Sequence, residues 1–456
     1  MNTKHLLPLL LIACFACKKS KDDNSGGGSS ACTKVVSAGS TELTDKRHVS
    51  NSVLVGEKMV LAGGFASGIY LKAVDIYDTK TRTWSKAQLS EARSSPMALV
   101  AGNKAFFYAW EYGPGETYTG FVDVYDAQAG SFVKATLTEA RIRMPAVANG
   151  NKVLFAGGET KLAVASKRVD IYDVPTGAWT KTDLFEARKS LAGGSGGNKI
   201  FLAGGQLQNG TYSKKVNIYD VQTGAWDSVQ LNEARASIAV ISAGNKVLFA
   251  GGNKSATEIS KTVEVYDIQT KSLTKTDLSA TFSRESKGDF ACVAGSKILF
   301  AYYGSKTVDI YDAQTGTWTK AQLSASFDET EPLVTGNSVV FSGGIAGSAY
   351  SKAVDIYDAQ KNAWTTTAMS EAREDMGVVG AGNKVLFAGG QSAASPAVKT
   401  IDIYNLETGE WTIISLSTAS RRIPHGLASG ERIIFEIASD TEYRTTIDLF
   451  SLEKCN

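Results

Sequence analysis

The sequence predicts an all-β protein: a single β-propeller of four-stranded antiparallel blades, nine of them, or eight with an extra flap. Three observations predict it. A pentapeptide recurs along the chain, as Val74-Asp75-Ile76-Tyr77-Asp78, Val122–Asp126, Val169–Asp173, Val216–Asp220, Val263–Asp267, Val308–Asp312, Val354–Asp358, Ile401–Asn405 and a worn Ile447–Ser451. Its aromatic residue repeats every 45 to 48 positions, the signature of stacked units that cannot bury their faces alone. The 44 glycines outnumber the 8 prolines, which fits many tight hairpin turns.

The strands of one unit are legible in residues 236–278. Ser237–Ser242 is an apolar-rich strand and Ala243-Gly244-Asn245-Lys246 a tight turn. Val247–Ala250 is a second strand, apolar at successive positions because neighbouring blades cover both its faces. It ends in Gly251-Gly252, where missing Cβ atoms let segments approach closely. A variable loop leads to the third strand, Val263–Asp267, and a short turn to a fourth strand ending near Leu278. Seven residues after each aromatic stands a large apolar side chain: Trp84, Phe132, Trp179, Trp226, Leu273, Trp318, Trp364 and Trp411. A functional aromatic would not recur in every unit, so this slot is expected to fill the space between blades.

Apolar–Gly-Gly, then Tyr-Asp, then Trp resembles the Kelch repeat, and residues 33–452 follow the pattern. The Glu-Ala-Arg segments carrying Arg93, Arg141, Arg188, Arg235 and Arg373 also look like that family, with the Arg expected to be structural. Blade two departs with Tyr108-Ala109-Trp110, and blade six with Tyr302-Tyr303, where Gly-Gly is expected.

The last unit has three strands, and the segment Lys34–Leu43 aligns with a fourth strand lacking its first three. The N-terminal strand is therefore expected to complete the C-terminal blade and remove the open sheet edge. Cys32 and Cys455 fall on either side of that cut hairpin, and a disulfide between them is expected in an oxidising compartment. Cys292 lies on a first strand and reads as a buried thiol.

Residues 1–17 read as an export signal: a Lys near the start, then the apolar run Leu6–Phe15, too short to span a bilayer. Leu11-Ile12-Ala13-Cys14 resembles a lipobox, and Ala16-Cys17-Lys18-Lys19 is the competing site, favoured because Gly/Ser-rich residues 18–31 look like the tether of surface lipoproteins. Lipidation is thus expected at Cys17, or alternatively Cys14. Neither is followed by the Asp that resembles an inner-membrane retention signal, so an outer-membrane lipoprotein is expected. The propeller itself spans residues 32–456.

Comparison of the blades shows two kinds of loop. Those between strands 1–2 and 3–4 are nearly uniform, with Gly-Asn-Lys at 102–104, 150–152, 197–199, 244–246 and 382–384. Those between strands 2–3 and 4–1 vary in length and chemistry, which points to recognition. On that face the longest loop carries Trp110, Tyr112 and Tyr118. The position after the repeated Arg holds His48, Lys189, Glu374 and Arg422 in different blades, and Arg143 and Asp375 lie one residue further on. These are the candidate ligand-binding residues for a glycan or an envelope or extracellular protein.

Other chemistry is less well supplied. Copper oxidases resembling galactose oxidase need His ligands, and only His48 and His425 remain outside the signal, so no metal or cofactor is expected. With 48 basic against 46 acidic residues, no nucleic-acid partner is expected. The chain is expected to be a monomeric binding module and not an enzyme. The alternative is a carbohydrate-active enzyme using Glu374, Asp375, Asp328, Glu329 and Arg143 at the pore mouth.

Overall fold

A computed structural model of the chain describes residues 33–43, 45, 47–49, 51–109, 120–283, 289–326, 332–343, 345–346, 349–421, 425–438 and 445–454. Among these residues every regular element is a strand. Nine four-stranded antiparallel sheets follow one another, each built from strands in chain order except the last, with short extra strands in the 2–3 loops of blades 1 and 7. Blade 3, for example, runs Ala146–Asn149, Lys152–Ala156, Arg168–Asp173 and Trp179–Asp183. First strands of neighbouring blades touch all the way round, including Ser52–Val55 of blade 1 against His425–Ser429 of blade 9, so the ring is closed with nine blades.

Closure works as the sequence predicts. Thr33–Glu42 is the fourth strand of blade 9 and pairs antiparallel with Thr445–Lys454, from Thr33 opposite Lys454 to Glu42 opposite Thr446. A fourth strand starts at the 3–4 turn, so both described ends of the chain lie on the face of the 1–2 and 3–4 turns. Cys32 and Cys455, next to the paired Thr33 and Lys454, lie outside the described residues, as do Cys14 and Cys17.

Burial follows strand position. Second strands such as Lys246–Ala250 are buried beyond their leading Lys because sheets cover both faces, whereas outer fourth strands such as Leu273–Asp277 are half exposed. The nine apolar clusters of the core are the nine interfaces between blades. In seven of them a blade's aromatic pair faces its predecessor; blade 5 has Tyr266 with Leu273, and blade 9 has Phe450 with no aromatic partner in the Trp slot among the described residues. Tyr172 and Trp179 of blade 3, ring centroids 5.0 Å apart, pack on Met97, Leu99 and Phe106 of blade 2. The recurring Trp is thus interface filling. Cys292 is buried in the blade 6–7 interface.

The repeated Arg is structural. Arg141, Arg188, Arg235 and Arg373 are fully buried, and each donates from Nη1 to the carbonyl of the first Gly sixteen residues on: Gly157 at 2.9 Å, Gly204 at 2.6 Å, Gly251 at 2.6 Å and Gly389 at 2.9 Å. The same guanidinium reaches the third strand at Asp170, Asn217, Glu264 (2.9 Å) and Asp402. It therefore ties the 4–1 connection to two strands of the blade it enters. In blade 6 the arrangement is exchanged as a set. Phe282 occupies the Arg position, its carbonyl accepting from Gly252 N, and Tyr302 donates to Asp309 in the place of the missing guanidinium.

Candidate recognition face

The uniform face is occupied by its own bonding. The Lys of Gly-Asn-Lys pairs with the Asp of Tyr-Asp, as in Lys152–Asp173 at 2.7 Å and Lys199–Asp220 at 2.9 Å, while the same Asp caps backbone N–H groups of the 3–4 turn. The Lys152 ammonium hydrogen bond holds Asp173 down at about 2, and Lys246 does the same for Asp267. These repeated residues are consumed by structure.

The opposite face is built from a repeated frame carrying different side chains. The residue after the Arg forms a bridge with the residue after the Gly pair: His48 with Phe65, Ile142 with Glu159, Lys189 with Gln206, Ala236 with Asn253 and Glu374 with Gln391. The second Gly makes this possible. Gly205 has φ +101°, and a Cβ there would stand 2.8 Å from the Lys189 carbonyl; at Gly390, φ +95°, it would stand 2.3 Å from that of Glu374. The chain then turns into the next first strand through a left-handed residue, Arg143, Ser190, Ser237 or Asp375, with φ between +51° and +55°. Recurrence in four blades makes this corner a feature of the frame.

Above the bridges the 2–3 loops stand as short hairpins. In blades 3, 4 and 5 they close with Thr160 N to Val164 O, Leu207 N to Thr211 O and Lys254 N to Glu258 O. In blades 1 and 7 they are the pairs Phe65–Ala66 with Ile69–Tyr70 and Ile345–Ala346 with Ala349–Tyr350. The fingers of blades 3 and 4 interlock, Ala165 N donating to Gln208 Oε1 at 2.7 Å.

Four of the sequence candidates are therefore placed by this frame. Lys189 Nζ is paired with the buried carboxylate of Glu159 at 2.9 Å, joining blade 4 to blade 3. Glu374 and Asp375 share one donor, Gln391 Nε2, at 2.5 and 3.3 Å. Arg143 has no ion pair or hydrogen bond among the described residues. It stands in blade 3, on the other side of the ring from Glu374 and Asp375 of blade 8, so the Arg and the carboxylates are not brought together. His48, the fifth, pairs through its backbone with Phe65. Trp110, Tyr112, Tyr118, Arg422, Asp328 and Glu329 lie outside the described residues. Sequence comparison missed Glu159, Gln206, Asn253 and Gln391, although each follows a Gly pair and each differs from its sisters as a recognition position should.

Exposed apolar side chains concentrate on the same face. Large exposed hydrophobics among the described residues are Ile69, Val133, Leu162, Val164, Phe185, Ile259, Tyr303 and Ile413. Ile69, Leu162, Val164, Ile259 and Tyr303 belong to 2–3 loops, and Phe185 begins a 4–1 connection. Among the described residues none of the eight lies in a 1–2 or 3–4 turn.

Two family models agree with this architecture. Residues 143–332 match the KLHDC2/KLHL20/DRC7 Kelch-repeats domain, and residues 50–88 and 372–415 match the Kelch motif. The solved structure of YjhT aligns with 70% of this chain and 97% of its own at 14% identity and a TM-score of 0.38. No curated protein sequence matches the chain significantly.

Proposed function

We propose that this Kelch-repeat propeller is a non-enzymatic binding module of the bacterial cell envelope, recognising a protein or a glycan through the face of its 2–3 and 4–1 loops. The observation that carries this reading is that six of the eight large exposed hydrophobics among the described residues lie on that face, opposite a face whose polar groups bond one another. A lipid anchor at Cys17, or Cys14, would fit the same polarity. The described chain starts at Thr33 on the uniform face, so a tether there leaves the variable face directed away from the membrane. A Cys32–Cys455 disulfide would staple the closing hairpin beside the Thr33–Lys454 pair.

Two measurements test it. Peptide mapping without reductant, on protein taken from membranes, is expected to recover an acylated N-terminal cysteine and a Cys32–Cys455 crosslink. An unmodified mature N-terminus would remove the anchor, and a free Cys455 thiol the staple. Glycan-array and envelope pull-down experiments with wild type, Trp110→Ala and Leu162→Ser are expected to show a ligand that the variants lose. A ligand indifferent to both would move the site off this face. Turnover of a captured glycan, abolished by Glu374→Gln, would replace binding with catalysis.

A further inference from the structure

Of the eight blade seams whose donor position lies among the described residues, one gives up a bond that the other seven keep. At seven junctions a residue at the end of one blade's fourth strand donates to the acidic residue of the next blade's third strand. The pairs are Ser90–Asp123, Thr138–Asp170, Asn232–Glu264, Ser279–Asp309, Ser324–Asp355, Ser370–Asp402 and Ser417–Asp448. Between blades 3 and 4 both partners are replaced. Phe185 stands where the donor belongs, and Asn217 where the acid belongs. The exchange costs the fold. Asn217 is fully buried, its Oδ1 accepts from Arg188, and its Nδ2 has no partner among the described residues. Arg188 has no third-strand carboxylate to face and is held below the ordinary guanidinium range, at about 10, by burial. Phe185 does not use the space inward. It is 53% exposed, with Lys215 Nζ 5.6 Å above its ring. A local rule broken without an internal return marks a functional position.

The surroundings say what the position serves. On the same face of blade 3 stands the finger of its 2–3 loop, where Leu162 is 83% exposed, Val164 is also exposed, and Ala163 takes the left-handed turn. Cations surround the apolar groups: Lys161 and Lys214 have no ion pair among the described residues, and Lys167 and Arg168 share the single carboxylate of Asp183. Glu186 is bonded to Ser213 and lies 3.8 Å from Arg188. The sector is positive although the whole chain carries only +2. The one ring among these groups, Phe185, has Lys215 Nζ over it, and the aliphatic tips of Leu162 and Val164 give a sugar no flat platform, whereas together they suit the apolar side chains of a polypeptide.

We propose that the outer rim of blades 3 and 4 is a docking site for an extended acidic polypeptide segment carrying apolar side chains, seated on Phe185, Leu162 and Val164 and steered by the surrounding lysines. The site rests on the reading of this face as the recognition face and narrows it to one sector and one chemistry.

The test uses the full-length chain and a fluorescein-labelled peptide alternating Asp/Glu with Leu/Phe, with its Lys-substituted counterpart and soluble polygalacturonate as competing probes. The acidic peptide is expected to bind at least about tenfold more tightly than the basic one, and to weaken with added salt. Phe185→Ser, which restores the hydroxyl used at the sister seams, combined with Leu162→Ser, is expected to lower its affinity by about tenfold or more. Lys161→Glu with Lys215→Glu is expected to abolish the preference for acidic over basic peptide. Unchanged thermal midpoints assign these losses to the surface. Equal binding by the apolar variants, or binding of polygalacturonate but not of peptide, overturns the site. An envelope ligand lost with Trp110→Ala yet retained by the Phe185 and Leu162 variants would overturn this sector and leave the general reading of the face standing.

Discussion

Trp179→Ala is expected to lower the free energy of unfolding by about 3–5 kcal/mol, read from guanidinium titrations followed by far-ultraviolet dichroism. The indole lies between two blades. Its ring is 5.0 Å from Tyr172 and 5.7 Å from Phe155 of its own blade, and it packs on the cluster centred on Phe106 and Tyr108 of blade 2. A closed ring has no free edge toward which the blades can collapse to fill the void, so the cavity term should persist beside the lost burial. Trp179→Phe should cost much less, under about 1.5 kcal/mol, because blade 2 already uses Phe132 in this slot against Tyr125 and Phe107. A loss below about 1 kcal/mol for the alanine variant would contradict interface filling as the role of this aromatic.

Glu436→Gln is expected to make the protein more stable at pH 8 and to flatten its stability between about pH 4.5 and 8. Glu436 occupies the fifth position of the second strand of blade 9, Arg432–Ala438, where Ala62, Ala156, Ala203, Ala250, Ala301 and Ala388 stand in sister blades. Alternate residues Ile434 and Glu436 face blade 1, and the carboxyl is fully buried there with neither oxygen hydrogen-bonded among the described residues. Burial pushes it up to about 8, against the opposing attraction of Arg47. Arg47 is itself committed to Asp75 at 2.6 Å and to the Gly63 carbonyl at 2.9 Å. His425 stands opposite Glu436 in the strand register. A carboxyl whose folded pKa is raised holds its proton more tightly when folded. Its folding advantage is therefore complete below the unfolded value near 4.5 and is lost as pH rises to about 8, with a slope approaching about 1.4 kcal/mol per pH unit. Denaturation midpoints from pH 4 to 9 for wild type, Glu436→Gln and Glu436→Ala would show it. A wild type whose profile runs parallel to both variants would mean the carboxyl titrates normally in the folded ring.

Much of this molecule is legible before any coordinates. Blade number follows from the period of the Tyr-Asp motif, because each unit must bury both sheet faces against near-identical neighbours and so repeats its apolar pattern. The role of the Trp slot follows from its recurrence. The closing strand follows from one displaced segment, Lys34–Leu43, because an unpaired sheet edge is costly and only the C-terminal blade lacks a fourth strand. The division into a uniform and a variable face is equally visible, since bonds such as Lys152–Asp173 demand the same residues in each blade.

The site is less legible. Sequence comparison selects Arg143, Glu374 and Asp375 as one group, but blade order sets the Arg across the ring from the carboxylates, and Gln391 binds both acids together. Phe185 and Asn217 pass unnoticed in the linear sequence because their meaning lies in a pairing 32 residues long that crosses from one blade to the next.

The sequence by itself determined the repeat, the strand order, the ring closure and the face that varies, because these depend on local periodicity and on the rule that no sheet edge stays open. Only the tertiary structure decided which variable residues act together. Exposure, interblade hydrogen bonds and the desolvation of Glu436 and Arg188 are set by what the neighbouring blade places opposite a side chain, and that neighbour is some 30 or more residues away along the chain, or, at the seam of Arg47 and Glu436, at its other end.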